Sequence, residues 1–210
     1  MTMKNILILG DSLTDAGRDK KNEKDLGQGY VRTIQEQLPQ MKVINRGYNG
    51  ARTIDLLFEV ENLADEIESA DALVLFIGVN DVWSSHHRSP SDWASMLDSF
   101  TGHFALLVDS LDKHLQVDVP VHIILPFARF TKDAEEGQIL RDRLDQVNAR
   151  IRQIIADFKP DYIIVDLREV LTQSAFDWQG AIAVDGVHWS SAMHAFVGKQ
   201  MADILGHFVL

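Results

Sequence analysis

The feature that most constrains the fold is a set of short apolar runs, each of a length suited to a buried strand. Five such runs occur along the 210 residues, and they consist mostly of Ile, Val and Leu. They lie at 6–9, 42–45, 72–77, 121–125 and 162–165. The runs lack the polar alternation of a strand that has one face in water, so both faces are predicted to be covered. The sequence therefore predicts a parallel sheet in the interior.

The segments between these runs carry apolar residues at every third or fourth position, which is typical of helices with one buried face. Such segments lie at 30–38, 93–115, 140–158 and 191–205. Ser89 and Pro90 supply a cap and a first-turn proline for the longest one. Strand and helix in alternation predict right-handed crossovers and a three-layer α/β/α sandwich. Because no linker-like stretch interrupts the pattern, residues 1–210 are predicted to form one domain.

Composition narrows the chemistry and the partners. The chain has no Cys, which excludes disulfides, Cys-ligated zinc and a cysteine nucleophile. It has 20 Lys and Arg against 31 Asp and Glu, a net charge of −11, which disfavours nucleic acid and anionic membranes as partners. No run approaches the ~18 apolar residues of a membrane span, and the run at 6–9 is too short for a signal peptide. We therefore expect a cytoplasmic protein with a small-molecule partner.

Ligands of open α/β sheets bind outside the carboxyl ends of the strands, so the residues that follow each run are the candidates. The first run is followed by Gly10-Asp11-Ser12-Leu13. A serine on a tight turn there is a candidate nucleophile, and its N–H can face a bound oxygen. A helix cap by Asp11 or Ser12 explains the same residues. The glycines match neither a Walker loop nor a dinucleotide fingerprint.

The second and third runs are followed by candidate hydrogen-bond donors. Gly47 and Gly50 come after the second run, and the bare backbone of Gly50 is suited to donate its N–H to an oxyanion, with Gly47 as the alternative. Asn80 comes after the third run, where its side-chain amide is a further candidate donor. Ordinary turn chemistry also explains such residues.

A candidate base stands near the C-terminus, where Asp185 precedes His188 by three residues. This spacing lets the carboxylate hold one ring nitrogen while the other faces a nucleophile. Serine, Gly and Asn donors and an Asp–His turn are together the parts that acyl transfer needs. His86 and His87 lie in the polar loop 84–90, and Glu135-Glu136 is interpreted as a solvated helix start. Packed or solvent-facing roles are the default for the histidines in helical patterns, which are His103, His114, His194 and His207.

With these motifs in this order, the sequence resembles the SGNH hydrolases, also called the GDSL esterase/lipase family. The matching blocks are 10–13, Gly50 within 45–50, 78–81 and 185–188. The resemblance implies a flavodoxin-like, five-stranded parallel sheet of order 2-1-3-4-5 and no metal or organic cofactor. It further implies a triad and an oxyanion hole, the latter formed by two N–H groups and one side chain. The triad residues are Ser12, His188 and Asp185, and the oxyanion donors are Ser12, Gly50 and Asn80.

The substrate is less constrained than the reaction. Segments 16–29, 82–90 and 127–138 are expected to wall the site. Candidate substrate contacts are Asp11, Arg52, Trp83, Phe127 and Arg129. Loop aromatic residues also serve simply to pack a loop, and exposed arginines to carry solvated charge. No lid or interfacial helix is evident, which favours a short-chain ester, such as an O-acetylated sugar or a small aryl or alkyl ester. The alternatives are a lysophospholipase, a thioesterase and a non-catalytic flavodoxin-like binding module.

Overall fold

The computed structural model describes residues 3–130, 134–183 and 185–209. Its five strands form one parallel sheet in the order β2-β1-β3-β4-β5. The strands are β1 (Asn5–Gly10), β2 (Lys42–Gly47), β3 (Ala72–Phe76), β4 (Val121–Ile124) and β5 (Ile163–Val165). Each strand begins and ends within two residues of its apolar run. The predicted α/β fold and the strand order 2-1-3-4-5 are thereby confirmed.

The described residues contain nine α-helices and one 3₁₀ turn, Val60–Leu63; seven of the helices connect strands and the last two follow β5. The helices are α1 (Ser12–Asp15), α2 (Tyr30–Gln37), α3 (Thr53–Glu59), α4 (Ala64–Glu68), α5 (Val79–Trp83), α6 (Pro90–His114), α7 (Ala134–Phe158), α8 (Leu167–Gln173) and α9 (Ser191–Val209). The four predicted helices are α2, α6, α7 and α9, and Ser89 caps α6 as expected by accepting a hydrogen bond from the N–H of Asp92. In this described part of the chain, no helix is both long and apolar enough to cross a bilayer.

Apolar side chains cover the sheet on both faces, because successive residues of a strand point to opposite sides. Leu7 and Leu75 belong to one buried cluster, which includes side chains of α3, α6 and α7. Ile8 and Val74 belong to a second cluster, which includes side chains of α2, α8 and α9. This covering explains why the strands read as continuous apolar runs. The organisation of residues 1–210 as one domain stays a prediction.

The order of the strands brings three of the motifs to one edge of the sheet. β1 lies between β2 and β3, and Gly10 at its end pairs with Gly47 on one side and with Phe76 on the other. The segments that leave these three strands therefore start side by side at the carboxyl edge. They carry Ser12, Gly50 and Asn80.

Candidate active site

The turn after β1 places Ser12 at the start of a very short helix. Asp11 caps this helix, since its Oδ1 accepts a hydrogen bond from the N–H of Leu13 at 2.9 Å. The helix lies against the end of β2, where a Cβ on Gly47 would come within 2.1 Å of the backbone nitrogen of Asp15. Glycine at position 47 is thus required for this close approach, which sets the position of Ser12 beside β2.

The segment that carries His188 is a turn held by hydrogen bonds from two directions. Within the turn, Asp185 Oδ1 accepts hydrogen bonds from the N–H groups of Val187 and His188, at 2.9 and 3.0 Å. From outside, the carbonyl of Gly186 accepts hydrogen bonds from the backbone N–H groups of Arg129 and Phe130, at 2.7 and 3.1 Å. The segment after β4 therefore braces the turn from the neighbouring strand end.

The structure brings Ser12, His188 and Asp185 together in one line of hydrogen bonds. His188 Nδ1 lies 2.7 Å from Asp185 Oδ2, and His188 Nε2 lies 3.2 Å from Ser12 Oγ. The side chains of His188 and Asp185 are 53% and 37% exposed, so the line opens to solvent.

The protonation state of this line follows from the carboxylate. Partial burial raises the pKa of Asp185, but hydrogen bonds from the His188 ring and from the N–H groups of Val187 and His188 outweigh it, so the pKa lies below its ordinary value of 3.8. An ionised carboxylate only accepts hydrogen bonds, so Nδ1 of His188 must carry the proton. In the neutral ring Nε2 is then free to accept the hydroxyl proton of Ser12.

The predicted oxyanion donors, Ser12, Gly50 and the alternative Gly47, differ in the partners of their backbone N–H groups. Within the described part of the chain, the N–H groups of Ser12 and Gly50 have no acceptor. Gly50 is the third residue of a turn closed by the Ala51 N–H on the Tyr48 carbonyl, and its φ of +75° is the value that makes glycine suitable there. The N–H of Gly47, by contrast, donates to Asn45 Oδ1 at 2.8 Å. The engaged N–H of Gly47 makes Gly50 the better donor of the two.

Helix α5 is fastened to the same loop by its first polar residues. Asn80 Nδ2 donates to the carbonyl of Ala51 at 2.9 Å, which leaves the second N–H of its amide for another acceptor. Asp81 Oδ2 accepts hydrogen bonds from both the N–H and the hydroxyl of Thr53, at 3.0 and 3.1 Å. The pairing of Asp81 with Thr53 was not predictable, because Thr53 lies 28 residues away along the chain and has no recognisable motif.

Two acidic side chains lie beside this arrangement, Asp11 buried and Asp81 partly buried. Asp11 is 1% exposed, and burial raises its pKa to about 7, although the Leu13 N–H and His188 act in the opposite direction. Burial likewise raises the pKa of Asp81 to about 6, with its hydrogen bonds from Thr53 opposing the rise. Both carboxyls are thus poised to change charge close to neutral pH.

The five sequence-derived substrate contacts fall into two groups. Asp11 and Phe127 are buried: Asp11 caps α1, and Phe127, 4% exposed, packs edge-on against Trp178 with ring centroids 5.2 Å apart. Neither side chain reaches an open surface, and their contact with a substrate stays a prediction.

The other three candidates, Arg52, Trp83 and Arg129, are at least partly exposed. Arg52 precedes α3 and, with Asp81, lines a cleft of about 220 Å³. The ring of Trp83 stacks on Phe130 at 5.8 Å, and the guanidinium of Arg129 donates to the carbonyl of Gln179. Of the predicted wall segment 127–138, residues 131–133 lie outside the described residues.

Comparison with known proteins now gives the family. The model of the GDSL-like lipase/acylhydrolase family matches residues 8–196. The chain belongs to this family. The predicted resemblance to the GDSL or SGNH hydrolases is confirmed, and the protein is an ester hydrolase of the esterase/acylhydrolase type. No curated protein matches the sequence significantly.

Solved structures of similar enzymes share the fold. Axe2, an acetylxylan esterase from Geobacillus stearothermophilus, is 24% identical with a TM-score of 0.74, over 97% of this chain and 94% of that one. A catalytic mutant of Axe2 gives a TM-score of 0.75 at 24% identity and the same coverage. LAE5, an alpha/beta hydrolase enzyme from the metagenome of Lake Arreo in Spain, is 22% identical with a TM-score of 0.67, over 99% and 96% of the two chains. At these identities the likeness shows the fold.

Proposed function

We propose that this family member hydrolyses short-chain carboxylic esters through an acyl-enzyme on Ser12. The observation that carries the proposal is the line of hydrogen bonds from Ser12 Oγ through His188 to Asp185, at 3.2 and 2.7 Å. Solved catalytic mutants of Axe2, which replace a serine, a histidine and an aspartate, support the same assignment by type of residue.

In the first half of the reaction, Ser12 Oγ attacks the ester carbonyl carbon while His188 Nε2 takes the hydroxyl proton. The imidazolium then gives this proton to the leaving alkoxide, so an alcohol departs and the acyl group stays on Ser12. In the second half, water attacks the acyl carbon and loses a proton to His188, which passes a proton to Ser12 Oγ as the acyl C–O bond breaks and the acid is released. Asp185 fixes the ring tautomer and stabilises the imidazolium without itself taking the proton.

The negative charge that develops on the carbonyl oxygen needs donors that are already in place. We assign this role to the N–H groups of Ser12 and Gly50 and to the second N–H of the Asn80 amide. The bond from Asn80 to the Ala51 carbonyl supports the assignment, because it fixes the amide beside the loop that carries Gly50. Donors that are held before the reaction lower the barrier without the cost of reorganisation.

The exposure of the site favours a short acyl group. Fatty acyl chains gain about 0.8 kcal/mol of binding for each CH₂ that they bury, and this requires an enclosed apolar channel. His188 and Asp185 are instead 53% and 37% exposed, as suits an acetyl group presented on a larger polar molecule. The acetylxylan esterase activity named for Axe2 agrees with this substrate class. We therefore propose O-acetylated carbohydrate as the substrate, with small aryl or alkyl esters also accepted.

A chain-length series tests this proposal. We expect kcat/KM to be highest for p-nitrophenyl acetate and to fall as the acyl group lengthens to octanoate, with acetylated xylo-oligosaccharides also deacetylated. Ser12→Ala should abolish both activities, whereas Ser110→Ala, a serine on α6 without a proposed role, should retain them. Higher kcat/KM for octanoate, for a lysophospholipid or for an acyl thioester would contradict the proposed substrate. Activity that persists in Ser12→Ala would contradict the proposed nucleophile.

A further inference from the structure

A second cluster of reactive side chains lies between α5 and α7 and has no part in the proposed reaction. His86 and His87 follow α5, and Glu136 lies in the first turn of α7. His86 Nε2 is 3.0 Å from one carboxylate oxygen of Glu136, and His87 Nδ1 is 3.0 Å from the other. The ligand atoms of the three residues all lie within 4.8 Å of one another.

The backbone at His87 turns both rings toward the same carboxylate. Consecutive side chains ordinarily point in different directions, but His87 adopts a left-handed conformation with φ of +58°. The two rings consequently meet edge to face, with centroids 3.9 Å apart. Non-glycine residues in this region are uncommon and concentrate at functional sites.

A buried arginine holds the backbone on both sides of the histidine pair. Arg143 of α7 is 6% exposed, and its guanidinium donates to the backbone carbonyls of Ser85 and Arg88, at 2.5 and 2.8 Å. Ser85 and Arg88 directly flank His86 and His87, so the loop is fixed to the helix that supplies Glu136. Such support from outside a ligand set is what keeps metal ligands in position.

We propose that His86 Nε2, His87 Nδ1 and Glu136 form a binding site for a divalent transition-metal ion of the zinc type. Zinc takes His nitrogens and carboxylate oxygens at about 2.0–2.2 Å, which sets neighbouring tetrahedral ligands about 3.3 Å apart. Each 3.0 Å separation of a histidine nitrogen from a carboxylate oxygen would open by about 0.3 Å to admit the ion, and the two histidine nitrogens lie within 4.8 Å of each other. Water would complete the fourth position.

The ligand atoms of the cluster favour some metal ions over others, and its exposure lets an ion reach it. Two imidazoles suit Zn²⁺, Co²⁺ or Ni²⁺, whereas Mg²⁺ and Ca²⁺ take mainly oxygen ligands. His87 is 78% exposed, which gives an ion access, while His86 and Glu136 are 29% and 24% exposed. A bound ion would join the segment after α5 to the start of α7. Since α5 carries Asn80, this site would brace the helix that supplies the proposed oxyanion donor.

Metal binding by the full-length protein, after removal of metal with a chelator, tests the site. We expect one Zn²⁺ per chain in competition with a chromophoric chelator, and the visible spectrum of tetrahedral Co²⁺ when cobalt is added instead. An excess of Mg²⁺ or Ca²⁺ should not compete. Zinc should also raise the melting temperature of the wild type, because a ligand that binds only the folded state stabilises it.

Three substitutions and two controls locate the ion. His86→Gln, His87→Asn and Glu136→Gln should each weaken Zn²⁺ binding by at least about tenfold, the loss seen even for outer partners of metal sites. Asparagine is chosen at position 87 because it tolerates the left-handed backbone. His114→Ala is the matched control, since His114 forms a single pair with Glu61 at 3.4 Å and lacks a second imidazole.

The second control, Ser12→Ala, separates this site from the active site and should bind Zn²⁺ as tightly as the wild type. Absence of Zn²⁺ binding by the wild type would overturn the proposal. So would equal binding by all three ligand variants, which would make the ion adventitious, or a weakening by His114→Ala as large as theirs. Circular dichroism of each variant confirms that a loss of binding is not a loss of folding.

Discussion

Replacing Asp185 with asparagine should disable the base without disturbing the turn. Asparagine has the same size as aspartate. Its Oδ1 can still accept the hydrogen bonds from the N–H groups of Val187 and His188, which are 2.9 and 3.0 Å long in the wild type. Its NH₂ group, however, replaces the carboxylate oxygen that lies 2.7 Å from His188 Nδ1. Two donors cannot bond to each other, so the ring must move its proton to Nε2. In that tautomer His188 cannot accept the proton of Ser12.

The size of the effect follows from the exposure of the two side chains. In a buried triad the same substitution lowers kcat by ~10⁴-fold. Here Asp185 and His188 are 37% and 53% exposed. Water therefore replaces part of the stabilisation that the carboxylate gives to the imidazolium. We therefore expect kcat to fall by about 10²- to 10³-fold, which corresponds to about 3–4 kcal/mol in the activation barrier.

Steady-state hydrolysis of p-nitrophenyl acetate measures this loss. We expect the change to appear in kcat, with KM and the melting temperature close to those of the wild type. Asp177→Asn is the matched control, because among the described residues the Asp177 carboxylate accepts only the backbone N–H of Gly180, at 3.4 Å. A fall in kcat of less than about fivefold for Asp185→Asn, or an equal fall for the control, would refute the argument that Asp185 orients His188.

Three further predictions concern the surroundings of Ser12. Asn80→Ala should lower kcat by about 10²- to 10³-fold with little change in KM, and an unchanged kcat would remove Asn80 from the oxyanion hole. Asp11→Asn keeps the cap on Leu13 but removes a carboxyl whose pKa burial raises from 3.8 to about 7. Wild-type stability relative to this variant should therefore be greatest below pH 4 and fall by about 4 kcal/mol as the pH rises to 7, then stay constant, in urea unfolding. A difference between the two proteins that does not change with pH would contradict the raised pKa. Gly47→Ala should destabilise the fold by about 1–3 kcal/mol or more, since its Cβ would lie 2.1 Å from the backbone of Asp15. If Gly47→Ala unfolded at the same denaturant concentration as the wild type, that close contact would be contradicted.

The sheet was predictable because its signal is local. Each strand is an apolar run covered on both faces, and each of the four predicted helices carries a buried stripe that repeats every turn. Ser89 and Pro90 even marked the first turn of α6. The short helices α1, α3, α4, α5 and α8 escaped prediction, because four to seven residues are too few to show a helical period.

The candidate site was predictable to the extent that its parts follow strands. Ser12, Gly50 and Asn80 were located by their places after β1, β2 and β3, and the strand order places these segments side by side. Contacts across long sequence separations had no such signal. The bond of Asp81 to Thr53 and the brace of the Gly186 carbonyl by the segment after β4 arise only when the chain is folded.

The sequence leaves a residue's place in the fold open where one residue type serves two purposes. Phe127 reads equally well as a pocket wall or as core, and its burial against Trp178 decides for the core. His86 and His87 read as solvated loop residues, because Glu136, which brings them together, lies about fifty residues further along the chain.

Covalent labelling with a fluorophosphonate tests the central claim most directly, because the reagent reacts with a serine that a neighbouring base has activated. If Ser12 is the nucleophile, the wild type should carry one label per chain, and peptide mass spectrometry should place it on Ser12. We also expect strong loss of labelling in His188→Ala and complete loss in Ser12→Ala. A label on another serine, or equal labelling of Ser12→Ala and the wild type, would contradict the claim that Ser12 is the nucleophile.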